Sequence, residues 1–245
     1  MDDLTRYDRT RERLREALAG QLSPDVDLEW AVTAYAYWVC YDMVRRAADW
    51  EETLQEHVAL ACQDAATEAE AERAEMAALR RALADARGPL LDVGAGWGRL
   101  APLYQERGLD IVYVEPMSLG ARLMRRSRFP KVVRSTGEAL PFTDGVFVSA
   151  VIAWVLHHRP PEVNATGILR EVARVMAPGS LLFSIEPLRA EFGPDRWVGL
   201  LQGAGFHVRH LECFFEGELA GGMEQQALAV AVRTHPAAKG DGKCA

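Results

Sequence analysis

The chain predicts an α/β fold, in which a largely parallel sheet is covered by helices on both faces. Three observations carry this. Short β-type runs alternate with helical stretches from residue 89 onward, as expected of parallel strands joined by crossover helices. The first run, LLDV at 90–93, is apolar and leads straight into Gly94, Gly96 and Gly98. Glycine costs conformational entropy, so three in five residues need a reason, such as a tight strand-to-helix turn. The first 88 residues, by contrast, have helical texture throughout.

Leu4 to Leu18 is a charged amphipathic stretch that stops at Gly20. Ser23-Pro24 reads as a helix start, with a capping hydroxyl and a proline in the first turn. It introduces a stretch rich in large apolar residues, DLEWAVTAYAYWVCYDMVRRAADW. An Ala/Glu/Arg-rich segment of high helix propensity runs from about Asp49 to Arg87 and is closed by Gly88-Pro89. Then come LLDV, a helix to Gly108, the strand DIVYVE and a helix from Ser118. KVVRS, VFVSAVIA, a helix through Arg170 to Met176, and LLFSIE follow. The last elements are a helix over Trp197–Ala204 and the strands FHVRHLE and ALAVAVR. The expected organisation is a helical extension at 1–88, a core at 89–234 and a disordered tail at 235–245.

Composition narrows the function. With 49% hydrophobic and 26% charged residues, the chain reads as an ordinary globular protein. The opening MDDLTRYDRTRER lacks the apolar core of a signal peptide, and no apolar run reaches membrane-spanning length. Cys40, Cys62, Cys213 and Cys244 show no CxxC spacing, so neither a metal site nor a disulfide framework is expected, and the reducing cytoplasm is the expected location. Net charge is −7, and residues 1–88 hold 11 Arg against 19 Asp/Glu. No basic footprint of a polyanion binder is visible, which argues against a nucleic-acid partner.

A Gly-rich turn after the first strand of such a sheet sits where ligands bind, beyond the strands' carboxyl ends. The dinucleotide fingerprint GxGxxG would need glycine at 99, where Arg99 stands. The second strand ends in Glu115, an acid placed to accept hydrogen bonds from ribose hydroxyls. Together these point to an adenosine-containing cofactor.

Six ordered motifs make the reading specific. Asp92-Val-Gly94-Ala-Gly96-Trp-Gly98 is an acid-x-Gly-x-Gly-x-Gly turn, and VYVEPM carries Glu115. GEALPFTDGVF spans Gly137 to Phe147, VLHH ends in His157-His158, and RVMAPGS covers 174–180. LLQGAGFHV follows later. In this order and spacing, residues 90–187 resemble the core of class I S-adenosylmethionine-dependent methyltransferases of the small type 11 kind. The resemblance implies a Rossmann-like seven-stranded, mostly parallel sheet with the last strand antiparallel, plus the helical N-terminal extension. It implies S-adenosyl-L-methionine as cofactor, held by Asp92, Gly94, Ala95, Gly96, Gly98, Glu115, Pro116, Met117, Thr136, Gly137, Glu138 and Ala153. Two departures stand out: Thr136 replaces the family's usual adenine-binding Asp, and Val148 replaces an Asp at the start of strand four.

A methyl sulfonium is a strong electrophile, so the implied reaction is an in-line displacement that rests on alignment. A hydroxyl acceptor would also profit from a base. The resemblance to natural-product sugar O-methyltransferases offers His157 or His158 for this role, with Glu186 at the end of strand five as partner; packing against the cofactor is the competing role. Tyr37, Trp38 and Tyr41, with Trp30, share a helical face that either covers substrate or packs on the core. Val58, Cys62, Ala65, Ala69, Met76, Leu79 and Leu83 form a stripe, either a homodimer seam or packing within the monomer. The expected function is methyl transfer to a small-molecule metabolite, on oxygen rather than nitrogen, with no metal and no membrane. A tRNA-modifying methyltransferase, and a cofactor-binding protein without methyl transfer, are the alternatives.

Overall fold

The computed structural model describes residues 2–158, 163–219 and 222–234. The tail expected to be disordered, 235–245, lies outside them. The chain divides into two compact units, Met1–Ala77 with Phe215–Gln225, and Ala78–Phe214 with Gln226–Ala245.

The first unit is built on three helices, α1 (Asp3–Leu18), α2 (Leu28–Arg46) and α3 (Trp50–Ala82). Each begins on an aspartate that satisfies otherwise unpaired amides. Asp2 accepts from the Leu4 amide, Asp27 from those of Glu29 and Trp30, and Asp49 from those of Glu51 and Glu52. The start expected at Ser23-Pro24 is instead a turn, in which the Val26 amide donates to the Ser23 carbonyl. Asp27 outcompetes it because it stands directly before the apolar run. Tyr7, Thr10, Leu14 and Leu18 form the buried stripe of α1, at helical spacing. The buried stripe of α3 runs through Ala61, Ala65 and Ala69, while Cys62 is exposed. The stripe therefore lies one position from the expected one at its start.

Polar bonds lock the helices together. Tyr35 donates to Glu68 at 2.6 Å, Trp30 donates to Glu72, and the Trp50 indole donates to the Thr10 hydroxyl at 2.9 Å. Burial lifts the Glu68 carboxyl to about 7.

The second unit holds the sheet strands β1 (Leu90–Val93), β2 (Ile111–Val114), β3 (Val132–Val133), β4 (Phe147–Ala153) and β5 (Met176–Leu188). The hairpin strands β6 (Phe206–Leu219) and β7 (Gly222–Arg233) complete a seven-stranded order β3-β2-β1-β4-β5-β7-β6. Pairs β1–β2, β1–β4, β2–β3 and β4–β5 are parallel, and the last strands are antiparallel. Every residue of β1 is buried, which explains why it is apolar except for Asp92: a central parallel strand has no solvent face. Helices α4 (Ala101–Glu106), α5 (Ser118–Arg126), α6 (Ala165–Val175) and α7 (Pro194–Gly203) connect the strands. The helix expected to reach Gly108 is only the short α4, since residues 94–100 form the turn ahead of it. Leu91, Val93, Ile152, Leu182, Trp197 and Phe206 are part of one buried core. Strand order reverses at β1, with β2 on one side and β4 on the other. The crevice at that switch point, at the carboxyl ends of β1 and β4, is where such a sheet binds ligands.

Candidate active site

The Gly-rich turn is built by its own glycines and by one carboxylate. Gly94, Gly96 and Gly98 all have positive φ, at 77°, 58° and 85°, a region that L side chains resist. Space forbids a side chain as well: a Cβ on Gly94 would lie 2.5 Å from Cγ2 of Val155. The turn hangs from β2, with the Gly94 and Ala95 amides donating to the Val114 carbonyl. The Gly98 amide closes on the Ala95 carbonyl at 2.9 Å.

Glu115 is the keystone. One carboxylate oxygen accepts from the Gly96 amide and the other from the Met117 amide, each at 2.8 Å. The side chain bridges the ends of β1 and β2 and is 4% exposed. Burial, outweighing these two bonds, raises its carboxyl to about 7. Each oxygen keeps a lone pair for a further donor, such as a ribose hydroxyl. Pro116 accepts from Arg134 through its carbonyl, and Met117 caps α5.

Asp92 lies within β1 at 2% exposure and accepts from the Tyr104 hydroxyl at 3.0 Å. Burial lifts its carboxyl to about 7. Tyr104, 12 residues downstream, was not legible in the sequence, because neither spacing nor residue type marks it as a partner for Asp92.

Gly120, on α5, also belongs to this cradle. A Cβ there would meet the Gly96 carbonyl oxygen at 2.5 Å and Cγ of Glu115 at 2.8 Å. The first is backbone and cannot swing away. Gly120→Ala is therefore expected to displace the turn and weaken nucleoside binding at least tenfold, at a cost of about 1–3 kcal/mol. Calorimetric titration with S-adenosylhomocysteine checks this, with circular dichroism confirming an intact fold. Unchanged affinity would mean that the turn tolerates the shift.

The 136–138 segment is arranged by packing. Gly137 is buried, with Ile168 and Val93 within 3.0–3.2 Å of where a Cβ would stand. Glu138 accepts from the Asn164 amide, and Thr136, exposed, offers its carbonyl to the Ala139 amide. Farther along, Arg174 binds the carbonyls of Leu140 and Phe142 and the carboxylates of Asp144 and Glu171. One arginine thereby ties GEALPFTDGVF to RVMAPGS, and much of both motifs is structural.

β4 ends in Ala153, half-buried and paired with Ile185. The next residue, Trp154, has φ 61°, and there the chain turns sharply. Glu186 gathers that turn. It accepts from the amides of Val155 (3.2 Å), Leu156 (2.8 Å) and His157 (3.2 Å), and from Nδ1 of His157 at 2.8 Å. Two residues short of the end of β5 and fully buried, Glu186 contacts no solvent. It is a positioning residue. A carboxylate can only accept, so Nδ1 carries the proton, and in the neutral imidazole the lone pair is then on Nε2. His158 lies against His157 with ring centroids 4.1 Å apart.

Tyr37, Trp38 and Tyr41 sit on α2. Tyr37 is buried at 7% exposure and stacks on Tyr41, while Trp38 meets Tyr35 edge-on. Among the described residues no group of three or more His, Cys, Asp or Glu is arranged to hold a metal, and no helix is long and apolar enough to cross a membrane.

Against known proteins, residues 91–184 match the methyltransferase domain family. A demethylmenaquinone methyltransferase of Renibacterium salmoninarum is 35% identical over 126 residues, 49% of this chain and 52% of that protein. The chain thus spans about half the length of this curated relative. Among solved structures, geranyl diphosphate C-methyltransferase of Streptomyces coelicolor, in complex with S-adenosyl-L-homocysteine, superposes with a TM-score of 0.52 at 15% identity. That match covers 64% of this chain and 77% of the other. The [4+2]-cyclase SpnF superposes with a TM-score of 0.53 at 17% identity, over 64% and 81% of the two chains. The turn at 94–98, with no room for a Cβ at Gly94 or Gly98 and with its Gly96 amide on the buried Glu115 carboxylate, fits a nucleoside cofactor. Residues 91–184 are therefore similar to the methyltransferase domain family, and the sheet that carries them has the fold of S-adenosylmethionine-dependent methyltransferases.

Proposed function

We propose that the chain methylates a small-molecule hydroxyl, with S-adenosylmethionine as donor and His157 as the base. The observation that carries the reading is the Glu115 carboxylate held between the Gly96 and Met117 amides at the mouth of the Gly turn. Glu115 would hold the ribose hydroxyls, the 94–98 turn would pass beneath the methionyl chain, and Thr136 to Glu138 would border the adenine. When bound, S-adenosylmethionine supplies an electrophilic methyl group. The residues of this chain then orient the acceptor, exclude water and take up a proton. The Glu186 clamp supports the last role, because it engages Nδ1 of His157 and leaves Nε2 as the other ring nitrogen, just beyond the carboxyl end of β4. Oxygen is favoured over nitrogen because an amine needs no base once neutral, whereas an alcohol must lose its proton as the bond forms.

A second reading, cofactor binding without methyl transfer, is favoured by two features. Thr136 offers adenine a weaker partner than an acid, and the fold is shared with the [4+2]-cyclase SpnF. Two measurements separate these. Calorimetry with S-adenosylhomocysteine is expected to give micromolar affinity, roughly −8 kcal/mol; tight NAD binding without any response to it would overturn both readings. Release of S-adenosylhomocysteine from S-adenosylmethionine in the presence of hydroxylated acceptors is expected under the first reading only.

A further inference from the structure

We propose that a groove at the amino ends of the central strands binds an oxyanion carried on an aliphatic body, an alkyl carboxylate or alkyl phosphate. The groove lies at the opposite edge of the sheet from the Gly turn and is independent of the methyl-transfer reading.

Its volume is about 1070 Å³, slightly above the roughly 300–1,000 Å³ of clefts that hold small molecules. Every residue that lines it belongs to the second unit. Gly88 stands just before β1, Val148 is the second residue of β4, and Ala177 to Leu181 lie in the first half of β5. Since β1, β4 and β5 run parallel, this edge is the one away from residues 94–98. The floor is apolar. Leu181 and Phe183 of β5, and Leu228 and Val230 of β7, are alternate residues, so each pair shares one face of its strand. Leu181 and Val230 are half-buried, which leaves aliphatic surface open to water. The end of α3 contributes Ala78 and Ala82, side chains too small to fill the space.

Charge sets the head group. Three arginines line the groove, Arg81, Arg87 and Arg209. Arg81 is committed to Glu212 at 2.6 Å, and the other Glu212 oxygen faces Nε2 of His210 at 3.5 Å. Neighbouring arginines are engaged in the same way, Arg80 by Glu106 and Arg107 by the Ala84 carbonyl. The Arg87 and Arg209 side chains, by contrast, have no acceptor among the described residues. They come from separate elements, the loop ahead of β1 and the edge strand β6, yet line the same groove. A lone exposed arginine is ordinary. Two uncommitted guanidinium forks beside an aliphatic floor suit an oxyanion with an apolar tail. Asp85 also lines the groove and has no cation partner among the described residues. Three arginines against two carboxylates leave the lining positive, in a chain of net charge −7.

The test is calorimetric titration of the full chain with octanoate and octyl phosphate, against octanol and inorganic phosphate as controls. At least one charged amphiphile is expected to bind roughly tenfold or more tightly than either control, since only it engages both guanidiniums and floor. Arg87→Gln and Arg209→Gln should each weaken that binding by about three- to tenfold, and Asp85→Asn should strengthen it about twofold. Arg170→Gln removes an arginine of α6 outside the groove and should leave the affinity unchanged. All four positions are exposed, so the thermal midpoint of each variant should stay at the parental value. Saturating S-adenosylhomocysteine should leave probe affinity unchanged, because the two sites occupy opposite edges of the sheet. No binding of either charged probe at millimolar concentration, or octanol binding as tightly as they do, would overturn the proposal. So would an equal loss in Arg170→Gln, parental affinity in both Arg87→Gln and Arg209→Gln, or displacement of the probe by S-adenosylhomocysteine.

Discussion

His157→Ala is expected to lower the turnover of a hydroxyl acceptor by roughly 10²–10⁴, with cofactor affinity nearly unchanged. Full deprotonation of an alcohol before attack is too costly near neutral pH, so proton removal must accompany methyl transfer. Nε2 of His157 is placed to take that proton because Nδ1 is committed to Glu186 at 2.8 Å. Glu186→Gln provides the companion measurement. An amide presents only one accepting atom, so some of the four donors gathered by Glu186 would face an NH₂ group instead. The turn at 155–157 should loosen, and the imidazole should no longer be held in one tautomer. Turnover is then expected to fall, together with thermal stability, because at least one buried donor loses its acceptor at a cost of about 1–3 kcal/mol. In the double variant the two losses should not add, since Glu186 acts on the reaction through His157. Steady-state kinetics on all four proteins decides the matter. Near-parental kcat in His157→Ala would reduce the histidine to scaffold.

Raising the pH from 5 to 8 is expected to destabilise the empty chain and to strengthen its hold on S-adenosylhomocysteine. Asp92 and Glu115 are both lifted by burial to about 7, against about 4 for a free carboxyl. The folded state therefore keeps protons that the unfolded state has already lost. Stability is fully present below about pH 4 and is lost as pH rises through about 7, by roughly 4 kcal/mol for each group. Glu68 acts in the same direction. Under the proposed reading ribose hydroxyls would donate to the ionised form of Glu115, so ligand binding should pull its proton off. Calorimetry in buffers of different ionisation enthalpy is expected to show proton release near pH 6.5. Glu115→Gln should abolish most of that release and weaken binding by about 1.5–3 kcal/mol, through loss of charged hydrogen bonds. Proton release equal in parent and variant would show that Glu115 is ionised before the ligand arrives.

The sequence by itself determined the elements whose cause is local. A short run that is apolar but for one acid, bounded by turn signals, announces a buried parallel strand, as at Leu90–Val93. Three glycines behind it announce a turn with positive φ, and an acid at the end of the next strand announces Glu115. Helix starts were legible less securely. Ser23-Pro24 is a good local signal, yet the helix starts after Asp27, which stands directly before the apolar run. The motifs were legible as motifs, yet their division of labour was not: Arg174 holds GEALPFTDGVF by bonds that span up to 34 residues. The same holds at the site. His157, His158 and Glu186 were candidates by position, but the tautomer of His157 depends on a carboxylate 29 residues away. Tyr104 on Asp92, the left-handed turn at Trp154, and the grouping of residues 215–225 with the helical unit left no mark on spacing or composition. Periodicity and propensity record the interactions of a residue with its chain neighbours and with water. Pairings between distant segments exist only once the sheet has closed, and that closure decides which buried polar atoms find partners.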